Sequence, residues 1–153
     1  GGTGNRSFDL VQPDEMPECF EAGTINTHGI VSLGAGVEYV MSIGVKNILC
    51  YEQKLRDYFY EKISGLNDIK IYGGPQSDAV GVISVNHKKF TPYEVASFLS
   101  ENDICVRAGI HCAPLAHNTI GTGKLGTVRF SFGYLNNFDE IDFAVNVLKR
   151  LRR

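Results

Sequence analysis

The run Thr91-Pro92-Tyr93-Glu94 constrains this chain more than any other four residues. Proline has no N–H to give and is tolerated in a helix only at its first turn. A threonine just before it and a glutamate three residues after the threonine can satisfy each other's end groups as a capping box. A helix therefore starts at Pro92, and its spacing buries Val95, Phe98 and Leu99. On both sides of that helix the hydrophobic period changes. Upstream, Ile69-Lys70-Ile71-Tyr72 and Val80-Gly81-Val82-Ile83-Ser84-Val85 alternate, separated by Gly73-Gly74-Pro75 and polar residues, which predicts strand, turn, strand. Downstream, Ile104-Cys105-Val106-Arg107 reads as a third strand and Val128-Arg129-Phe130-Ser131-Phe132 as a fourth. Between them lies a Gly-, Ala- and Thr-rich loop, about 109–127, and loops of this length inside a compact domain are usually functional or disordered.

Three more helices follow from the 3.6-residue period. One runs from Thr27 with Ile30, Leu33, Val37, Val40 and Met41 on a face. Its Gly29, Gly34 and Gly36 suggest a backbone packed very close. A second spans about 46–64, with the stripe Ile48, Leu55, Phe59 and Ile63, and Gly65 ends it. The last starts near Asn137 and buries Ile141, Val145 and Leu148. The order ααββαββα predicts an α+β domain, a small and mostly antiparallel sheet covered by helices. Residues 1–26, rich in glycine and then in proline and acid, read as an irregular arm, and 27–153 as the domain.

Composition narrows the functional classes. Hydrophobic residues at 43% and charged residues at 21% make a foldable chain rather than a disordered one. A net charge of -2 offers no electrostatic reason for nucleic acid or an acidic membrane as partner. No secretory segment is visible, and the apolar stretch from Ile30 to Val37 is far short of a membrane span. Four sparse cysteines (Cys19, Cys50, Cys105, Cys112) suit a reducing cytoplasm in which the thiols stay free.

Arg107-Ala108-Gly109-Ile110-His111-Cys112-Ala113-Pro114 is the densest group of reactive side chains. It lies where a strand ends and a glycine-rich loop begins, so Cys112 is expected to be exposed. Arg107 and His111 can stabilise its thiolate. From the residues alone, an inert and a reactive cysteine both remain open. Cys105, between Ile104 and Val106, reads as core or sheet face, with Cys19 and Cys50 packing by default. A metal set of Cys105, His111 and Cys112 lacks both the usual ligand spacing and a fourth ligand. Gly121-Thr122-Gly123-Lys124-Leu125-Gly126 has the letters of a dinucleotide fingerprint, but a strand follows it where the mechanism needs a helix. Arg129 alternates with Val128 and Phe130, so it either faces solvent or lines a site where its fork can grip a carboxylate. Periodicity does not choose.

Three segments taken together are more specific. Gly1-Gly2-Thr3-Gly4, Phe20-Glu21-Ala22-Gly23-Thr24-Ile25-Asn26 and Arg107-Ala108-Gly109-Ile110-His111-Cys112-Ala113 resemble, in this order, motifs of the class V aminotransferase family, with the cysteine loop of the cysteine desulfurase type. Gly126-Thr127-Val128-Arg129-Phe130-Ser131, followed by Tyr134-Leu135-Asn136, is similar to that family's carboxylate-binding strand. The resemblance implies the small, C-terminal domain of a fold-type I enzyme that uses pyridoxal 5'-phosphate (PLP). It implies Cys112 as the nucleophile that takes sulfur from L-cysteine or selenium from selenocysteine, leaving a persulfide for a sulfur-acceptor protein. Arg129 would grip the substrate carboxylate, with Arg107 and Asn26 near the substrate and His111 supporting the loop. Thr3 would help bind the cofactor phosphate, in family dimers that of the partner subunit. The family's Schiff-base lysine precedes the GGTG motif, so no covalently bound PLP is expected on these residues. Two other readings stand beside this one: a class V transaminase or lyase without sulfur transfer, and an isolated dimerisation or binding domain.

Overall fold

The computed structural model describes residues 8–21, 23–74 and 79–151. The chain divides into two compact units, Gly1–Gly44 and Val45–Arg153. In the first, a short 3-10 turn (Glu18–Phe20) precedes helix α1 (Thr27–Ile43). Asn26 starts α1 by accepting a hydrogen bond from the Gly29 amide. The stripe Ile30, Leu33, Val37, Val40 and Met41 is exposed. Among the described residues, a Cβ at Gly34 or Gly36 would meet nothing within 4 Å, so the close backbone packing expected at these glycines is not seen there.

The second unit is a four-stranded antiparallel sheet with helices packed on it. Its elements are α2 (Val45–Ser64), β1 (Ile69–Tyr72), β2 (Val82–His87), α3 (Pro92–Ser100), β3 (Arg107–Gly109), α4 (Pro114–Thr119), β4 (Thr127–Ser131) and α5 (Phe138–Arg150). The strands lie in the order β1-β2-β4-β3. The α+β class read from the sequence is the class observed. The capping box at Thr91 forms in full, and Asn137 with Glu140 builds a second one at α5. No single helix among the described residues is long and apolar enough to cross a membrane.

One face of the sheet meets α2, α3 and α5. Ile83 and Val85 from β2 and Val128 and Phe130 from β4 are buried against Leu55, Phe59, Ile63, Val95, Leu99, Ile141, Val145 and Leu148. The Phe59 ring sits 4.7 Å from Phe130 and 5.3 Å from Phe132, centroid to centroid. Each fully buried side chain of this size contributes roughly 1.5–3 kcal/mol, so this layer carries the stability.

The third strand begins later than alternation suggests. Ile104 donates its amide to the Leu99 carbonyl, and Asp103 takes a positive φ of 60°. Both features tie the segment to the end of α3, so pairing with β4 starts only at Arg107. Ile104 and Val106 still pack on the core, but Cys105 between them is exposed rather than packed. Cys50, on α2, is exposed as well, whereas Cys19 is half-buried. The second strand is also displaced, opening at Val82: the Val82 amide donates to the Val80 carbonyl at 2.7 Å in a tight turn, while the Gly81 carbonyl accepts from the Phe132 amide.

Candidate functional site

The cysteine loop hangs from the end of the sheet, and its base is narrow. Gly109 pairs with Thr127 across β3 and β4. Gly109 and Gly126 both take positive φ, 106° and 72°. A Cβ on Gly126 would collide with the Gly109 carbonyl group, so only glycine allows the two chain segments to meet here. The Asn86 amide donates to the Gly126 carbonyl at 3.0 Å and braces the junction from β2. Within the loop, His111 and Cys112 have φ of 52° and 59°, values that side chains other than glycine rarely adopt. Cys112 is exposed. Pro114 opens the short helix α4 immediately after it.

The second face of the sheet carries polar side chains. Register puts Tyr72, Ser84, Arg129 and Arg107 in one row across β1, β2, β4 and β3. Arg107 and Arg129 are direct cross-strand neighbours, two like charges on one face of the sheet. Arg129 is half-buried and its Nε has no hydrogen-bond partner. The Thr127 Oγ1 and Asn86 Oδ1 atoms on the same face are also buried and unpartnered. Buried polar atoms without partners cost free energy. Paired cations beside them make this face suited to an anionic ligand.

His111 joins the two features. Its Nε2 lies 2.9 Å from the Arg107 carbonyl oxygen and, as donor, leaves Nδ1 with a lone pair. Burial holds its pKa below the ordinary value of 6.5, the Arg107 hydrogen bond opposing, and the charges of Arg129, His117 and Arg107 push it further down. The imidazole is therefore neutral near pH 7, and the positive charge at the loop base comes from the two arginines rather than from His111.

Four of the expected site residues thus come together: Arg107, His111, Cys112 and Arg129. Asn26 lies in the first unit, where its side chain is engaged as the cap of α1. Thr3 lies outside the described residues. Gly121–Gly126 follows a helix and precedes β4, unlike a dinucleotide fingerprint. Lys88 and Lys89 follow β2, and Lys124 is in the loop. Sequence reasoning missed α4 and, within it, His117, whose ring is buried 5.5 Å from that of His111. Pro114, placed as if at a first helical turn, was the available signal. Asn86 and Thr127 were missed too, since nothing local distinguishes them from ordinary strand residues.

The arrangement offers an exposed thiol on the loop that follows the strand carrying Arg107, across from Arg129. Residues 1–143 match the model of the family described as aminotransferase class-V. A cysteine desulfurase of Escherichia coli O127:H6 is 42% identical over 141 residues, covering 91% of this chain and 33% of the relative. A probable cysteine desulfurase of Methanothermobacter thermautotrophicus is 35% identical over 140 residues, 90% of this chain and 35% of the relative. The apo structure of a cysteine desulfurase from Thermococcus onnurineus NA1 superposes with a TM-score of 0.78 at 36% identity, over 88% of this chain and 33% of that one. The chain spans about a third of the length of the curated relatives it matches.

Proposed function

This chain belongs to the aminotransferase class V family, and on that premise we propose that it supplies the sulfur-accepting nucleophile and the carboxylate clamp of a cysteine desulfurase. The observation that carries the reading is the exposed Cys112 on a strained loop whose base presents Arg107 and Arg129 side by side. An amino-acid substrate brings a carboxylate, and Arg129, half-buried with a free Nε, would take it through charge-assisted hydrogen bonds. Arg107, more exposed on the neighbouring strand, would add to the attraction. Once the carboxylate is held, the side chain of the substrate extends toward the loop. Cys112 Sγ would attack the substrate sulfur as a thiolate, so that an S–S bond forms while the substrate's Cβ–S bond breaks. The electron pair of the broken bond stays with the carbon, which takes up a proton and leaves as alanine. His111, neutral, holds the loop through the Arg107 carbonyl rather than by charge.

Enzymes of this kind use PLP. The described residues do not suit its covalent attachment. An imine-forming lysine works desolvated and with a lowered pKa. Every lysine in the described residues is exposed, and Lys62 is driven the other way by Tyr58 and Asp142. The cofactor and its lysine would belong to the part of the relatives' length that this chain does not span; when bound, PLP would supply the electron sink that lets the substrate carbon give up its sulfur. L-cysteine or selenocysteine as substrate, a sulfur-acceptor protein, a homodimer and a cytoplasmic setting complete the proposal.

Replacing Cys112 by Ala in the intact enzyme tests it. Alanine release from cysteine is expected to collapse. Unchanged release would turn the reading toward a class V transaminase or lyase in which the thiol is incidental.

A further inference from the structure

We propose that His117 and Thr122 act as positioning residues for the Cys112 thiol, clamping its loop so that a substrate held at Arg129 meets the sulfur in line. This inference rests on Cys112 being the sulfur acceptor.

Two successive residues with side chains, His111 and Cys112, sit in the left-handed region, which they keep only when the surroundings impose it. On the side before Cys112 the restraint is visible: His111 Nε2 reaches the Arg107 carbonyl, and the Ala113 amide donates to the Ile110 carbonyl at 2.8 Å. On the side after it the chain enters α4, only six residues long, whose N-cap Ala113 provides no side-chain bond. So short a helix does not hold itself together.

His117 supplies what is missing. It is 5% exposed, although it is polar and nothing in the sulfur chemistry uses it. Its Nδ1 lies 2.7 Å from the Thr122 Oγ1. The Thr122 amide donates to the His117 carbonyl at 3.0 Å, and the Thr122 hydroxyl reaches the same oxygen at 3.3 Å. These contacts fasten the end of α4 to the turn that follows it. The His117 ring lies against that of His111, at an interplanar angle of 52°, so the clamp reaches the residue beside Cys112. An imidazole is an expensive way to fill a buried space that an apolar side chain would fill. Its two-sided link to Thr122 and His111 is the reason for it here.

The test compares a reagent that can approach the thiol from any direction with a substrate that cannot. In the intact enzyme, Thr122→Val removes the hydroxyl and keeps the shape; His117→Phe keeps a ring and loses the bond; His117→Asn restores a donor near the Nδ1 position. For Thr122→Val and His117→Phe, kcat for sulfur release should fall about ten-fold, within the range that misplacing a reacting atom costs. KM for cysteine should hold, and iodoacetamide should alkylate Cys112 no more slowly than before. His117→Asn should recover most of the loss. The inference is overturned if kcat is unchanged, or if alkylation slows in step with kcat, which would mean lost thiol reactivity rather than lost aim. Should His117→Phe fail to fold by circular dichroism, Thr122→Val decides alone. A Cys112→Ser enzyme that releases sulfur normally would instead sink the functional reading, a different failure from a neutral Thr122→Val.

Discussion

The two faces of β4 are built from alternate residues of one strand and are put to opposite uses. Val128 and Phe130 point into a layer of buried apolar side chains. Thr127 and Arg129 point to a face where polar atoms are buried yet unpartnered and two guanidinium groups stand side by side. The first face adds stability and asks for nothing else. The second sacrifices stability, through unmet hydrogen bonds and like-charge contact, and under the proposed function it gains affinity for a carboxylate in return. A site of this kind is recognised by what is left unsatisfied rather than by what is well packed.

The comparison breaks if mutations on the two faces behave alike. Phe130→Ala should have the largest effect, roughly 3–5 kcal/mol of unfolding free energy lost by urea titration, because it removes the ring packed on Phe59 and leaves a cavity. Arg129→Ala, one residue away, should leave that titration within about 1 kcal/mol of the parent. It should instead raise KM for cysteine by roughly 10- to 100-fold, as loss of a charge-assisted hydrogen bond worth about 1.5–3 kcal/mol requires. Thr91→Ala sharpens the contrast from the covered side. Removing the α3 cap should cost about 1 kcal/mol with KM unchanged.

The smallest effect is a pH dependence that both sides share. His87, at the end of β2 on the covered face, accepts a hydrogen bond from the Lys89 amide through Nδ1. Burial, aided by the charge of Lys89 and opposed by Asp68, holds its pKa below 6.5. His111 is shifted in the same direction, chiefly by burial. For a base whose folded pKa is depressed, the unfolded chain binds the proton first. Stability is therefore full above pH 6.5 and falls as pH drops toward the folded value. His87→Leu and His111→Leu should each flatten part of that slope as pH falls below 6.5 in thermal melts. A slope that survives in the double variant would mean that other groups set it.

The covered face was readable from the sequence because burial imposes a period. The stripe Leu55, Phe59, Ile63 and the alternation Val128, Phe130 follow directly from what each element must hide. The cap at Thr91 was equally legible, since end groups of a helix need specific side chains, whereas at Asn137 only the helix start was legible and the structure revealed its capping box. The third strand was misplaced for a good reason. Ile104 and Val106 do alternate inward, but hydrogen bonding to α3 delays the ladder until Arg107, and Cys105 is left outside. Of the site, the cysteine loop and the strand arginine were found by their motifs. That Arg107 stands opposite Arg129 depends on a register no local pattern encodes, and His117 draws its meaning from Thr122 and His111, which only the folded loop brings near.

The most direct test of the account is to incubate the intact enzyme with L-cysteine and locate the bound sulfur by peptide mass spectrometry. One additional sulfur atom should appear on Cys112, be lost in Cys112→Ser, and return in Arg129→Ala only at much higher cysteine concentration. Sulfur found on Cys105 or Cys50 instead, or undiminished turnover in Cys112→Ser, would contradict the assignment of that thiol as the acceptor.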